Sequence, residues 1–185
     1  MEESLDVGCG STKRASIGVD INRICKPDVV ADAGTLPFRD KTFDRVISVQ
    51  CLEHLWKPHL IPMEAVMSCL TEFRRVMKRG GVLDLTMPNF AGLSTLIKWL
   101  IHRGEGMMGM HGQEGYFLLG SHVDIHQVHH VLFTHKNLKI ALKQSGFTNI
   151  KFLSTSINSD LLQKIRILIP KTRHDLIRVN ATKID

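Results

Sequence analysis

The feature that most constrains the fold is the stretch from residue 4 to residue 20, which reads Ser-Leu-Asp-Val-Gly-Cys-Gly-Ser-Thr-Lys-Arg-Ala-Ser-Ile-Gly-Val-Asp. A short apolar strand is followed by a turn with Gly8 and Gly10, and a second strand at 17–19 ends on Asp20. Glycine reaches backbone angles closed to other residues and lets a ligand touch the main chain. A carboxylate offers two acceptor oxygens to a ribose hydroxyl pair. The stretch therefore predicts a nucleoside-shaped site at the carboxyl ends of parallel strands.

A dinucleotide is the first alternative for this site. The dinucleotide fingerprint needs a third glycine where this chain has Lys13, and an acid about 20 residues further on. Asp20 follows Gly8 much sooner than that. Both departures disfavour an NAD-type oxidoreductase, which we keep as the weaker alternative.

Six short motifs follow one another along the chain. They are Leu5–Gly10, Gly18–Ile21, Asp32–Phe38, Phe43–Ser48, Glu53–Leu55 and Arg79–Leu83. In order and spacing they resemble the motifs of class I S-adenosylmethionine-dependent methyltransferases of the type 11 kind, in a form with a short first crossover. The similarity covers roughly residues 4–90 closely and 130–182 more loosely. Together the motifs are far more specific than any one of them.

The resemblance implies the fold. It predicts one α/β domain over residues 1–185, a three-layer Rossmann-like sandwich around a mostly parallel seven-stranded sheet, with the amino-terminal helices missing. Only residues 11–16 separate the first glycine turn from the second strand, too few for the usual crossover helix. Residues 103–130 fit no regular element, and we assign 103–135 to an acceptor-side insertion or lid.

The resemblance also implies S-adenosylmethionine as cofactor and assigns its contacts. Asp6 and the turn backbone would hold the methionine end, Asp20 the ribose and Asp32 the adenine. Lys13 and Arg14 either point at the cofactor carboxylate or form a solvated basic loop. The expected cofactor-binding residues are Asp6, Gly8, Cys9, Gly10, Lys13, Asp20, Ile21, Asp32, Ala33, Gly34, Val49 and Gln50.

Histidines are the candidate catalytic residues. The ordinary pKa of histidine lies near neutrality, so His54, His129 or His130 could act as a general base. His54 in its Glu-His-Leu setting has a structural hydrogen-bonding role as the alternative. His122, His126 and His129 would share a helix face, but no convincing fourth ligand accompanies them, so we expect no metal.

Composition narrows the class of partner. The chain has 185 residues with a formal net charge of +6, and its Lys and Arg residues are spread out. There is one tyrosine and no aromatic-rich platform, so nucleic acid is not an expected partner. No apolar run is long enough to span a membrane. No signal peptide precedes the first strand, and we expect a cytoplasmic protein whose four cysteines are free thiols.

Local signals predict further elements. Apolar residues at helical spacing indicate a helix over 63–77, ended by a left-handed cap at Gly80 and Gly81. We expect strands at 45–49, 82–87 and 147–153, and an antiparallel strand at 176–181. Helices are expected over 93–102, after the N-cap Thr134, and over 161–168.

The predicted function is methyl transfer from S-adenosylmethionine to a small-molecule acceptor. No Asn-Pro-Pro-Tyr type stretch follows the fourth strand, which argues against adenine or glutamine amino acceptors. Because the missing helices would leave one side of the cleft open, we expect a homodimer. A non-catalytic S-adenosylmethionine-binding interaction subunit is the leading alternative.

Overall fold

A computed structural model describes residues 2–57, 59–92, 129–153 and 176–184. Two single turns of 3-10 helix, Arg23–Cys25 and Leu52–His54, lie between longer elements. Those elements are, in chain order, β1 Ser4–Val7, β2 Ile17–Asp20, β3 Val29–Val30, β4 Phe43–Val49, α1 Pro62–Val76, β5 Met77–Pro88, α2 His135–Gln144, β6 Thr148–Leu153 and β7 Leu176–Thr182. Within the described ranges, no helix is long and apolar enough to cross a membrane.

All seven strands form one sheet in the order β3-β2-β1-β4-β5-β7-β6. Strands β1 to β5 are parallel to one another, whereas β7 pairs antiparallel with both β5 and β6. The predicted mostly parallel sheet and its antiparallel last strand are confirmed. Because β1 lies between β2 and β4, the carboxyl ends of these strands meet at one edge of the sheet, where ligands bind in open α/β sheets.

The two faces of the sheet differ in chemistry. Leu5, Val46 and Leu83 are register neighbours on one face, and all three are fully buried in the core against α1 and α2. Side chains alternate along a strand, so Asp6 and Asp84 lie on the opposite face. The apolar face therefore carries the packing, while the other face carries charge.

The connection from β1 to β2 contains no helix, as its length predicted. Backbone N–H groups of Gly8 and Cys9 both donate to the carbonyl of Val19, at 2.9 and 3.1 Å. The N–H of Thr12 donates to the carbonyl of Cys9 at 3.2 Å. These bonds fold the connection back directly onto β2.

The predicted end of the first long helix is wrong. Helix α1 stops at Val76, and Gly80 has a φ of 78° inside β5 rather than in a helix cap. The last carbonyls of α1 are bound from elsewhere: the N–H of Lys41 donates to Arg75 and that of Thr42 to Val76. Contacts from a segment distant in sequence thus end the helix. Strand β5 begins at Met77, before the glycine pair at 80 and 81 that was expected to cap the helix.

The prediction for α2 is confirmed. Thr134 caps the helix, accepting from the N–H of Asn137 at 3.3 Å, and Gly146 follows its end with a φ of 81°. Other expectations fall outside the described residues. They are the helices at 93–102 and 161–168, residues 103–128 of the expected lid, and the histidines at 122 and 126.

Candidate functional site

The glycine turn after β1 is the centre of the candidate site. Gly8 has a φ of 72°, and a Cβ built on it would lie 2.6 Å from Cβ of Cys51. Gly10 has a φ of 54°, and a Cβ there would meet nothing within 4 Å among the described residues. The turn is therefore packed tightly on the β4 side and open at Gly10.

Asp20 connects the end of β2 to this turn. Its Oδ2 accepts from the N–H of Gly10 and its Oδ1 from the N–H of Asn22, both at 2.8 Å. A carboxylate has about four lone-pair sites, so both oxygens retain capacity for a ligand. The next side chain, Ile21, is apolar and 58% exposed. A carboxylate beside an exposed apolar side chain suits a sugar joined to a flat base.

Asp6 makes internal contacts. Its side chain is fully buried, and its Oδ2 accepts from the backbone N–H of Arg14 at 2.8 Å and from Nη1 of Arg14 at 3.4 Å. Burial raises the pKa of Asp6, although the bonds to Arg14 oppose this. Asp6 therefore fixes the short crossover, and Asp20 is close enough for its charge to raise the pKa of Asp6 further.

Lys13 lies in a half-exposed ion pair rather than over the turn. Its Nζ is 2.9 Å from Oδ2 of Asp28, which also accepts from the N–H of Gly18 at 2.7 Å. The hydrogen bond from Lys13, and then that from Gly18, lower the pKa of Asp28. Of the two alternatives for Lys13 and Arg14, the observed contacts are those of a basic loop tied to acids of the sheet.

Asp32 follows β3 at the next position along the same edge. Its Oδ1 accepts from the N–H of Gly34 at 2.6 Å and lies 3.1 Å from Nζ of Lys57. A Cβ on Gly34 would lie 2.6 Å from that same Nζ. Ala33 is partly buried against the core. Asp32 is thus held in a turn, with more than a third of its side chain exposed.

The end of β4 completes the edge. Gln50 has a φ of 54°, is exposed, and donates its N–H to the carbonyl of Thr86 at 2.8 Å. The hydroxyl of Ser48 donates to the carbonyl of Val7 at 2.9 Å, which joins β4 to the end of β1. Val49 and Gln50 therefore lie at the strand ends that also carry the glycine turn.

The three candidate catalytic histidines are brought together beyond this point. The rings of His54 and His129 have centroids 4.8 Å apart, and the ring of His130 lies 6.4 Å from that of Trp56. Burial lowers the pKa of His130, and the neighbouring His129 lowers it further. His130 is therefore neutral at physiological pH and able to accept a proton.

Glu53 is a residue that the sequence analysis did not select. Its side chain is 1% exposed, and among the described residues neither carboxylate oxygen has a hydrogen-bond partner. Burial raises the pKa of Glu53 to about 7. Its Oε1 lies 3.9 Å from Nε2 of His54. The Glu-His pair after β4 was the available signal, but its burial is not visible in sequence.

The cysteines are free thiols, as expected. Burial raises the pKa of Cys9 to about 11 and that of Cys69 to about 12, and it also raises the pKa of Cys51. Since the thiolate is the nucleophilic form, these three buried thiols are inert at neutral pH.

Comparison with known proteins finds a domain match within the chain and one similar protein. Residues 17–85 match the family model of a methyltransferase domain. The chain is similar to an uncharacterised protein of Methanocaldococcus jannaschii, with 28% identity over 86% of this chain and 67% of that protein.

Two solved structures show the same fold. One, from Thermotoga maritima, is described as an S-adenosylmethionine-dependent methyltransferase and possible histamine N-methyltransferase; it matches with a TM-score of 0.64 at 15% identity, over 99% of this chain and 83% of that one. The other is a Haloferax volcanii methyltransferase in complex with a methyltransferase activator, with a TM-score of 0.57 at 15% identity, over 100% and 83%.

The matched domain begins at β2 and ends in β5, so it includes Asp20, Asp32 and the strand end at Val49. A methyltransferase domain uses a methyl donor, and the Thermotoga maritima protein of the same fold is described as S-adenosylmethionine-dependent. Residues 17–85 therefore match a methyltransferase domain, and the chain has the fold of these solved structures.

Proposed function

We propose that this protein transfers the methyl group of S-adenosylmethionine to a small-molecule acceptor. The observation that carries the proposal is the meeting of the glycine turn, Asp20 and Asp32 at one sheet edge, with a histidine cluster beyond the end of β4. One side of this arrangement suits the cofactor and the other suits an acceptor.

The cofactor half is assigned from the contacts at the strand ends. Asp20 would accept from the ribose hydroxyls, using lone pairs not taken by Gly10 and Asn22. The exposed side chain of Ile21 would cover one face of the adenine, and Asp32 would accept from its amino group. The methionine part would then pass the open space at Gly10 toward Val49 and Gln50.

Asp6 and Lys13 would contribute to cofactor binding less directly than Asp20. Asp6 would act through the crossover that it fixes, because its oxygens are buried. Lys13 would reach a cofactor carboxylate only by leaving Asp28, from which its Nζ is now 2.9 Å away. We keep Lys13 as a prediction, whose expected contribution is smaller than that of Asp20.

The chemistry asks the protein mainly to align two reactants. The sulfonium makes the methyl group electrophilic, so an acceptor oxygen or nitrogen must be held in line with it. A hydroxyl or ammonium acceptor also loses a proton, which His54, His129 or His130 would take as a general base. Burial holds the pKa of His130 below the ordinary histidine value, which favours the neutral imidazole that a general base needs.

Binding calorimetry separates the cofactor classes. S-adenosylhomocysteine and NADH would each be titrated into the same protein. We expect binding of S-adenosylhomocysteine and none of NADH. The reverse result would favour the oxidoreductase alternative and overturn the proposal.

The acceptor is tested by turnover. Release of S-adenosylhomocysteine would be followed with panels of small amines, alcohols and thiols. Turnover with a small molecule would support the proposal, and turnover with protein fractions alone would contradict the small-molecule assignment.

A second candidate function is a non-catalytic, cofactor-binding interaction subunit. Apolar side chains are exposed near the edge strand β3, with Ile24 at 86% and Val30 at 44%. The Haloferax volcanii protein of the same fold is bound to an activator. A partner or a second copy of this chain would cover such an edge, so we include a homodimer in this proposal, to be measured by light scattering. Tight S-adenosylhomocysteine binding without turnover on any acceptor would favour this candidate.

A further inference from the structure

We propose that Glu53, His54 and His129 form a binding site for one divalent transition-metal ion, with Zn²⁺ as the best match. The site lies on the acceptor side of the cleft, beyond the end of β4. Metal binding can be measured without methyl transfer, and only the role of the ion toward an acceptor rests on the proposed function. With the ion bound, His54 and His129 are ligands, and the base role is left to His130.

The three side chains present their ligand atoms to one another. One carboxylate oxygen of Glu53 and one ring nitrogen from each histidine all lie within 4.8 Å of one another. Oε1 of Glu53 and Nε2 of His54 are 3.9 Å apart. Tetrahedral zinc with bonds of about 2.0–2.1 Å holds its ligand atoms about 3.3 Å apart. Side-chain rotations that move the three ligand atoms by about 1–1.5 Å would therefore close the site.

The state of Glu53 is a second, independent observation. A carboxylate that is 1% exposed, with no hydrogen-bond partner for either oxygen among the described residues, is costly to keep in a folded protein. A cation bound between the carboxylate and two imidazoles supplies the missing partner. Among the described residues, the carboxylate of Glu53 belongs neither to the contacts assigned to the cofactor nor to the apolar core cluster.

Backbone bonds hold the three ligands in place before any metal binds. Glu53 and His54 lie on the same short helical turn, where the N–H of His54 donates to Cys51 at 3.0 Å. The carbonyl of Glu53 accepts from the N–H groups of His130 and Val131 at 2.8 and 3.2 Å, which brings His129 to that turn. A site closed by main-chain bonds requires only side-chain adjustment.

The ligand set defines the class of ion. Two imidazoles with one carboxylate suit zinc, iron, nickel or copper, whereas magnesium and calcium prefer all-oxygen sites. Three protein ligands leave a coordination position open, as catalytic rather than structural zinc sites do. That position would accept an oxygen or nitrogen lone pair of an acceptor.

This set differs from the histidine group considered from sequence. That group combined His129 with two residues outside the described ranges and lacked a carboxylate. The carboxylate comes instead from a segment 76 positions earlier in the chain, which only the fold brings near. The earlier expectation of no metal is thus replaced by a proposal with different ligands.

Metal titration of the full chain tests the site. Protein stripped with a chelator would be titrated with Zn²⁺ and, separately, Mg²⁺, and bound metal would be counted by mass spectrometry. We expect one Zn²⁺ per chain, with Zn²⁺ preferred over Mg²⁺ by at least 100-fold. Absence of stoichiometric Zn²⁺, or an equal affinity for Mg²⁺, would overturn the proposal.

Variants identify the ligands. Glu53→Gln, His54→Ala and His129→Ala should each lower the affinity for Zn²⁺ at least tenfold. The control is His59→Ala, which changes an exposed histidine in the adjoining loop and should leave that affinity unchanged. Thermal melting would verify that each variant is folded, and a variant that is not would be replaced by His54→Gln or His129→Gln. Unchanged Zn²⁺ affinity in two folded ligand variants would contradict the site.

Co²⁺ substitution adds a spectroscopic readout. Strong visible absorption typical of four-coordinate Co²⁺ is expected in the wild type and should be lost in His129→Ala. S-adenosylhomocysteine binding, measured on the same samples, separates the two proposals. Zinc without S-adenosylhomocysteine binding would remove the proposed function but keep the metal site, and the converse would remove only the metal site.

Discussion

Gly8 and Gly10 have similar backbone angles but different surroundings. Both have positive φ values, 72° and 54°, which cost a residue with a Cβ about 1–2 kcal/mol. Only Gly8 also faces a close neighbour, Cys51, at 2.6 Å between the added Cβ and the cysteine Cβ. The two glycines therefore separate the requirement for folding from the requirement for ligand access.

We predict that Gly8→Ala loses about 2–5 kcal/mol of unfolding free energy, since overpacking adds about 1–3 kcal/mol to about 1–2 kcal/mol of backbone strain. Gly10→Ala should lose only about 1–2 kcal/mol of unfolding free energy. It should also weaken the binding of S-adenosylhomocysteine, because the added Cβ enters the open space above the turn. Urea unfolding and calorimetry measure both quantities. Equal destabilisation by the two changes would contradict the packing described at Gly8.

Asp20 is the single side chain on which cofactor affinity should depend most. Asp20→Ala removes both carboxylate oxygens, and we predict at least a tenfold loss of S-adenosylhomocysteine affinity, about 1.4 kcal/mol. Asp40→Asn, an exposed acid in the loop before β4, is the matched control and should bind normally. Calorimetry at constant salt measures the difference, and equal affinities for wild type and Asp20→Ala would refute the ribose role.

Residue-level prediction from sequence worked where a motif position and its local backbone determine where a side chain lies. Asp20 and Asp32 follow short strands, and the structure places both at the expected edge. The partner of Lys13 and the burial of Glu53 were not predictable in this way. Both depend on contacts between segments distant in the chain, Asp28 for the former and residues 130–131 for the latter.

The end of helix α1 shows how tertiary contacts fix an element. Arg75 donates to the carbonyls of Leu36 and Phe38 and to Asp40, while Glu72 accepts from the N–H of Leu36. These bonds attach the loop that follows Asp32 to the helix. Periodicity alone placed the helix correctly but extended its end to a glycine pair, because sequence cannot show which segment binds the last carbonyls.

Glu72 gives this junction a pH dependence. The pKa of Glu72 lies below its ordinary value of 4.5, and the hydrogen bonds from Arg75 are the largest cause. Its stabilisation is therefore fully present above pH 4.5 and is lost as pH falls through the lower folded pKa. We predict that Glu72→Gln loses about 1–3 kcal/mol at neutral pH, and that this difference from wild type shrinks below pH 4.5.

Urea unfolding of Glu72→Gln across that pH range tests the junction, with the exposed Glu2→Gln as control. A destabilisation that stays constant down to pH 2 would contradict the assigned ion pair.

Across the whole molecule, Asp84 joins the parallel and antiparallel parts of the sheet. Its side chain is nearly buried on β5, 2.6 Å from Nη2 of Arg45 on β4 and 3.2 Å from Nη2 of Arg178 on β7. The mostly parallel sheet and its antiparallel last strand were predicted from the motifs and from local apolar runs. This cross-strand charge group was not, because register cannot be obtained from those runs.

We predict that Asp84→Asn destabilises the chain by about 2–4 kcal/mol, since two guanidinium groups lose their shared carboxylate. Arg178→Gln should cost less, about 1 kcal/mol, because its side chain is 49% exposed and screened by water. Chemical unfolding measures both. A larger loss for Arg178→Gln than for Asp84→Asn would show that the carboxylate is not the centre of the group.

The most direct measurement of the central claim is a crystal structure of the full chain with S-adenosylhomocysteine. We predict the ribose hydroxyls within hydrogen-bond distance of Asp20, the adenine between Ile21 and Asp32, and the sulfur near Val49 and Gln50, on the side of His54. The claim would be contradicted if the ligand bound away from the turn at Gly10. It would also be contradicted if the carboxylate of Asp20 kept only its bonds to Gly10 and Asn22 and no ribose hydroxyl contacted it.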